Sequence, residues 1–305
     1  MSTFKRWSNS SLTTLQLCGE KFRLKYLEKQ YRQSGPQAKR GIAIHGVARE
    51  AHKRQMANLG TWKGAEPLFT QLPGTGESVK EARDLAADQF EMAWKEGVVL
   101  SKADKEIGED KVKAAQKDTA VDLAGLYVSD VAPIIVPAAV ERRVEIHPKD
   151  MDITVMGIVD LVEDDPAPII AQPESGPQLS SDVIRDLKTK EKAPWAGEAA
   201  VSQQLTLYHM IRLADVRKMP KAGRLVHLVR TPVKHEMSVK VQETTRDMED
   251  IRALVSRIRT AVEAVDRGVF VPADPAASGS PCSWCEYADG TCVYVRRVGR
   301  PIPKE

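Results

Sequence analysis

No run of apolar residues in this sequence reaches the length of a membrane span. The best, Val131-Ala-Pro-Ile-Ile-Val-Pro-Ala-Ala-Val140, is short and broken by prolines, whereas a spanning helix needs about 20 apolar residues in a row. The opening residues, Met1-Ser-Thr-Phe-Lys-Arg-Trp, lack the apolar core of a signal peptide. These two absences set the expectation of a cytoplasmic protein with no membrane partner, in a bacterial cell or an infected host cell. Thiols stay reduced there, so the four cysteines are expected to be ligands or bystanders rather than disulfides. An excess of one charge is also missing: 45 basic against 42 acidic residues leave a net +3. A balance that close does not by itself point to nucleic acid, and only local clustering would matter. No internal repeat is visible.

What is present is enough for a sizeable core: 305 residues, 42% of them apolar, fit one large domain or two small ones. The most informative stretch runs from Ile153 to Tyr208. Ile153-Thr-Val-Met-Gly-Ile-Val-Asp160-Leu-Val and Val183-Ile-Arg-Asp186-Leu-Lys188-Thr-Lys190 are β-branched runs bounded by turn residues, so both read as strands. Gln203-Gln204-Leu-Thr-Leu-Tyr208 begins a helix. Each strand carries an acid where the apolar pattern should continue, and a buried carboxylate is costly unless paired or bound to a cation. Side chains two apart on a strand share a face, so Asp186 and Lys188 point the same way. Two carboxylates and an ammonium converging at a sheet end suit a hard divalent cation with an activated water beside it.

Upstream, Ser8 to Ser11 caps a helix with Leu12, Leu15, Cys18, Phe22 and Tyr26 on its apolar side. A second helix carries His45, Arg49 and His52 along one side. Residues 60–76 are loop-like. Helices follow over 77–97, with Val79, Leu85, Phe90 and Trp94 on one face, and over 102–129, with Val112, Ala115, Leu123 and Leu126 inward. Glu141 to Ile146 opens a hairpin with the Ile153 strand. Glu163 to Ser181, rich in Pro, Gly and Ser, is a long connection of the functional or mobile kind. Strands over 224–230 and 236–242 lead to an amphipathic helix capped by Thr244/Thr245 and ended by Gly268. Past Pro272, Cys282-x2-Cys285-x6-Cys292 supplies three thiols, and Cys18 is the fourth. Soft metal sites take four ligands. One cysteine plus three, rather than two C-x2-C pairs, favours an iron–sulfur cluster over Zn2+. Either would tie the first helix to the last loop and close a long stretch of chain. A basic tail follows, with Arg296, Arg297, Arg300 and Lys304.

Taken in order, these residues resemble the PD-(D/E)xK nuclease superfamily, specifically the RecB-type exonucleases with a C-terminal iron–sulfur cluster, such as the AddB and CRISPR-associated spacer-processing nucleases. The resemblance rests on Cys18, His45, Gly157-x-x-Asp160, Asp186-Leu187-Lys188, Gln204-x3-Tyr208, and Cys282, Cys285 and Cys292. A lone (D/E)-x-K arises about twice by chance at ordinary composition, and Glu109-Asp110-Lys111 is such a decoy; order and joint occurrence carry the match. The resemblance implies a restriction-endonuclease-like α/β core, a mixed central sheet flanked by helices. It also implies a helical N-terminal lobe and a terminal [4Fe-4S] cluster held by the four cysteines. The corresponding regions are a first helix over 1–35, a helical lobe over 36–139, a nuclease core over 140–270 and a cysteine-rich loop and tail over 271–305, interlocked as one domain. By the same resemblance, His45, Asp160, Asp186 and the Leu187 carbonyl hold Mg2+ or Mn2+. Lys188 orients the attacking water, and Gln204 and Tyr208 position the substrate or brace Lys188. Lys190, Lys192 and Trp195 either contact DNA through charge and stacking or form a plain exposed loop. The implied function is metal-dependent DNA exonuclease activity on single strands or ends. It belongs to recombination, repair, replication or spacer processing, with partner proteins from those processes. The alternative is a DNA-end-binding or scaffold module with weak or no cutting. A structural zinc protein would leave Asp160, Asp186 and Lys188 unexplained.

Overall fold

The computed structural model describes residues 2–165, 167 and 176–298. Most of the Pro-rich connection after Asp165, and Arg300 and Lys304 of the basic tail, lie outside the described residues. The chain divides into two compact units. The smaller comprises residues 1–33, 145–156 and 252–305, and the larger comprises 34–144 and 157–251.

In the larger unit, four helices come first: α3 (Pro36–Asn58), α4 (Gly76–Lys95), α5 (Lys102–Ile107) and α6 (Glu109–Leu126). The single helix expected over 102–129 is divided at Gly108, whose φ of 96° suits glycine and breaks the ladder. Ala115, expected inward, is exposed; Thr119 and Ala120, a turn further on, face the core instead. The decoy Glu109-Asp110-Lys111 forms the first turn of α6, where acids favour the helix dipole.

The sheet of this unit is built from β3 (Thr154–Asp164), β4 (Leu179–Lys190), β5 (Met219–Arg230) and β6 (Met237–Thr244), with β2 (Pro137–Ile146) pairing β3. β3 and β4 are antiparallel, β4 and β5 parallel, β5 and β6 antiparallel, so the sheet is mixed, as expected. The crossover between the parallel pair is α7 (Gln203–Val216), which is how parallel neighbours must be joined. One face of the sheet, through Leu161, Leu187, Val226 and Leu228, shares a core with Ile44, Val47, Phe90, Trp94 and Leu123 of the helices. The other face lies against α7: a Cβ on Gly157 or Gly223 would meet Ile211 or His209 of that helix.

The smaller unit contains β1 (Arg6–Trp7), α1 (Asn9–Leu17), α2 (Gly19–Phe22), most of α8 (Met248–Asp266) and α9 (Val293–Val298). Ser8 caps α1 as the sequence suggested, in a reciprocal box with Ser11. The continuous helix expected through Tyr26 is interrupted, because Cys18 is extended (φ −165°, ψ 110°) and its sulfur caps α2 by accepting from Lys21 N. Phe4, Trp7, Phe22, Tyr26 and Phe270 form an aromatic cluster. The cap of α8 is Asp247, whose Oδ1 accepts from Glu249 N and Asp250 N, not Thr244 or Thr245. Gly268, at φ 69°, ends that helix region as expected. Among the described residues, no helix is long and apolar enough to cross a membrane.

Candidate active site

β-strand pairing brings the acids together. The antiparallel register aligns Leu161 with Arg185, which sets Asp160 of β3 beside Asp186 of β4. Asp160 Oδ2 accepts from Leu187 N at 3.2 Å and stands 3.4 Å from His45 Nδ1 on α3. The sequence reading assigned Leu187 a carbonyl role; its amide is seen here as a donor to Asp160, and its side chain is core.

Asp186 is the unusual member. It is 1% exposed, and neither carboxylate oxygen has a hydrogen-bond partner. Lys188 Nζ forms an ion pair with Asp186 Oδ2 at 2.7 Å. Burial, with Asp160 adding to it, pushes the Asp186 carboxyl up to about 6; Lys188 works against the rise. Lys188 Nζ donates to Gln204 Oε1 at 2.8 Å, and Gln204 Nε2 donates to the Tyr208 hydroxyl at 2.7 Å. Four residues apart on α7, Gln204 and Tyr208 share a helix face. Burial and the Asp186 and Asp160 carboxylates hold the Tyr208 phenol well above its ordinary range, so it stays protonated.

Behind His45 a small cavity is lined by Arg49, His52, Tyr127, Glu141, Asp160 and Arg185. His52, on the same helix side as His45, is 1% exposed and held by Gln55 and the Tyr127 hydroxyl, each at 2.6 Å. Burial lowers its pKa to about 4, so it is a neutral core residue. At the end of β4, Lys190 is ion-paired with Glu198; past it, Lys192 is exposed and Trp195 is 57% exposed. The backbone around Trp195 is pinned: Gln242 Nε2 donates to Trp195 O and Gln242 Oε1 accepts from Ala199 N.

Two elements of the site escaped the sequence. Arg246, 7% exposed, donates to Ala199 O, Ser202 O, Thr206 Oγ1, Thr244 Oγ1 and Thr245 O, and so fixes the start of α7. A ladder of Arg185, Glu163, Arg224 and Asp165 ties β3, β4 and β5 together on the face of the sheet opposite Asp186. Their only trace in the sequence is charge inside strand patterns, which register alone turns into pairs.

The four cysteines all fall in the smaller unit. Cys18 Sγ accepts from Lys21 N and Ala273 N, both at 3.4 Å. Cys292 is 8% exposed and packs with Leu24, Tyr287 and Cys285. Burial raises the Cys285 thiol, while the Tyr287 backbone and Lys21 work against the rise. Among the described residues, no three or more His, Cys, Asp or Glu side chains are grouped to hold a metal ion, neither at the cysteines nor at His45, Asp160 and Asp186. For a divalent cation at the acids the donor chemistry does fit, since Asp186 offers two buried oxygens with no other hydrogen-bond partner.

A comparison with curated proteins finds none that matches. Among solved structures, a candidate exonuclease from Eubacterium rectale is similar at 9% identity and a TM-score of 0.49, over 99% of this chain and 90% of its own. SSO0001 is similar at 12% identity and a TM-score of 0.31, over 79% and 95%. The PD-(D/E)XK nuclease superfamily matches residues 6–290. With an α/β fold, a mixed central sheet flanked by helices and a match over nearly its whole length, the chain belongs to the PD-(D/E)XK nuclease superfamily.

Proposed function

We propose that this chain is a metal-dependent DNA exonuclease acting on single strands or ends. The observation that carries the reading is Asp186: a carboxylate 1% exposed whose partner is the Lys188 ammonium at 2.7 Å, itself braced by Gln204 and Tyr208. A structural acid in that position would be costly to keep. Asp160, Asp186, His45 and the Leu187 carbonyl would hold Mg2+ or Mn2+. The chemistry supplied by the bound cation is polarisation of the scissile phosphate and a lowered pKa for a bound water. Lys188, steadied by Gln204, orients the attacking water and offsets charge building on the phosphate. Tyr208, protonated, holds Gln204 in the orientation that presents its oxygen to Lys188. Lys190, Lys192 and Trp195 lie a short way along the chain past Lys188, where charge and an exposed indole suit a single strand.

A metal cluster on Cys18, Cys282, Cys285 and Cys292 is the second part of the proposal, and it would place the chain with the AddB and CRISPR-associated enzymes. Its support is that all the cysteines fall in one unit and that the Cys18 sulfur accepts two amide hydrogens, from Lys21 N and Ala273 N. Anaerobically purified protein should be brown and contain iron, and Cys285→Ala should lose both; colourless protein containing zinc would replace the cluster with a zinc site.

The nuclease test is end-labelled single-stranded DNA incubated with Mn2+ or EDTA, beside Asp186→Ala. Shortening that needs the metal and falls about 10²-fold or more in the variant supports the reading, with polarity read from which label is lost. Binding without shortening under every metal would leave a DNA-end-binding scaffold.

A further inference from the structure

The residue paired with Lys188 across the parallel β4/β5 ladder is His227. It is fully buried, at 0% exposure, and neither ring nitrogen has a hydrogen-bond partner. Buried polar groups are nearly always satisfied, and the chemistry described above makes no use of this ring. Its place on the sheet is fixed by alternation. Gly223, Leu225 and His227 share one face of β5, and Gly223 lies against His209 and Leu205 of α7, so His227 stands on the face that carries Gln204 and Tyr208. The charged groups around it are Glu198, Lys190, Asp186 and Lys188, with Lys240 as its paired residue on β6. Burial lowers its pKa, which leaves a neutral imidazole with one donor and one acceptor.

Lys188 has three N–H donors and two neighbours, the Asp186 carboxylate and Gln204 Oε1. A carboxylate committed to a cation no longer balances the ammonium as it did. We propose that His227 is a positioning residue, which accepts a hydrogen bond from Lys188 when Asp186 is engaged by the divalent cation. The unsatisfied ring is then the partner reserved for the loaded state. This rests on the reading that Asp186 holds the cation, but not on DNA being the substrate.

The test is 15N NMR of the imidazole rings during Mg2+ titration without DNA, with the His227 signal assigned by its loss in His227→Gln. In the wild-type protein the His227 ring signal moves with Mg2+ and saturates with the binding measured by calorimetry. In Lys188→Met it stays still although Mg2+ binds. No movement in the wild type, equal movement in Lys188→Met, or no Mg2+ binding by the wild type overturns the proposal. In cleavage assays, His227→Leu lowers kcat about tenfold or more with KM unchanged, the loss of a hydrogen bond to a charged group. His227→Gln, which keeps an acceptor, restores most of it. His227→Leu at wild-type kcat overturns the proposal. Wild-type protein that binds Mg2+ and moves the ring signal but leaves DNA intact removes the nuclease reading and keeps this one.

Discussion

Asp186 is held in a place that disfavours its charge, and the consequence can be measured without any substrate. Its folded pKa of about 6 lies above the ordinary value of about 3.9. The folded state therefore binds the proton more tightly, and this stabilisation is full below about pH 4 and lost as pH rises through about 6. In EDTA, the stability of Asp186→Asn relative to wild type should grow by about 2–3 kcal/mol between pH 4 and pH 7. Denaturant unfolding at the two pH values measures this, and a constant difference would contradict the buried, unsatisfied carboxylate. The same proton competes with a cation, so Mg2+ affinity should weaken below about pH 6 and binding should release a proton in calorimetry at that pH. Asp160, Asp186 and Lys188 were legible because each interrupts an apolar strand, and two-residue spacing puts the last two on one face. Gln204 and Tyr208 were legible only through the family resemblance, since nothing in their helical spacing marks them as functional. His227 and Arg246 were not, because a lone histidine in a strand and a lone arginine before a helix acquire meaning only from register and from the backbone carbonyls they meet.

At the scale of elements, the site depends on how closely α7 approaches the sheet. An added Cβ on Gly157 would sit 2.6 Å from Ile211 Cδ1 and 3.4 Å from Tyr208 Cε1. This gives the glycine of Gly157-x-x-Asp160 a packing reason. Ile211 is fully buried, so its Cδ1 has little room to give and Gly157→Ala should cost about 1–3 kcal/mol. Thermal unfolding checks this, and an unchanged melting temperature would mean that Ile211 repacks freely. Arg246→Ala removes five donated hydrogen bonds, three of them to Ala199, Ser202 and Thr206 in the segment that starts α7. Leaving buried carbonyls unpaired should destabilise by about 3 kcal/mol or more, and Arg246→Lys should recover only part, since an ammonium cannot reproduce the planar fork. The strands and long helices of this unit could be read from period and punctuation. The breaks at Cys18 and Gly108 could not, since a side-chain cap or a single positive φ leaves the apolar spacing on both sides intact.

For the whole molecule, the decisive feature is how the chain is shared between its two units. Each is assembled from segments far apart in sequence, and the division falls within β2, β3 and α8 rather than at linkers. A strand or helix continuous through such a boundary cannot melt on one side without losing hydrogen bonds on the other, so unfolding should be one cooperative event. Tyr287 offers a way to test this from the smaller unit. It is 1% exposed, and its hydroxyl donates to Gln30 O at 2.6 Å, joining the first and last segments of the chain. Tyr287→Ala leaves a cavity and an unpaired carbonyl, at a cost of about 3–5 kcal/mol. The expected calorimetric result is a single endotherm shifted down as a whole, with the Mg2+ affinity of the larger unit lost at the same lower temperature. Two endotherms, with Mg2+ binding surviving the first, would mean that the units unfold separately and that the strands crossing the boundary do not couple them.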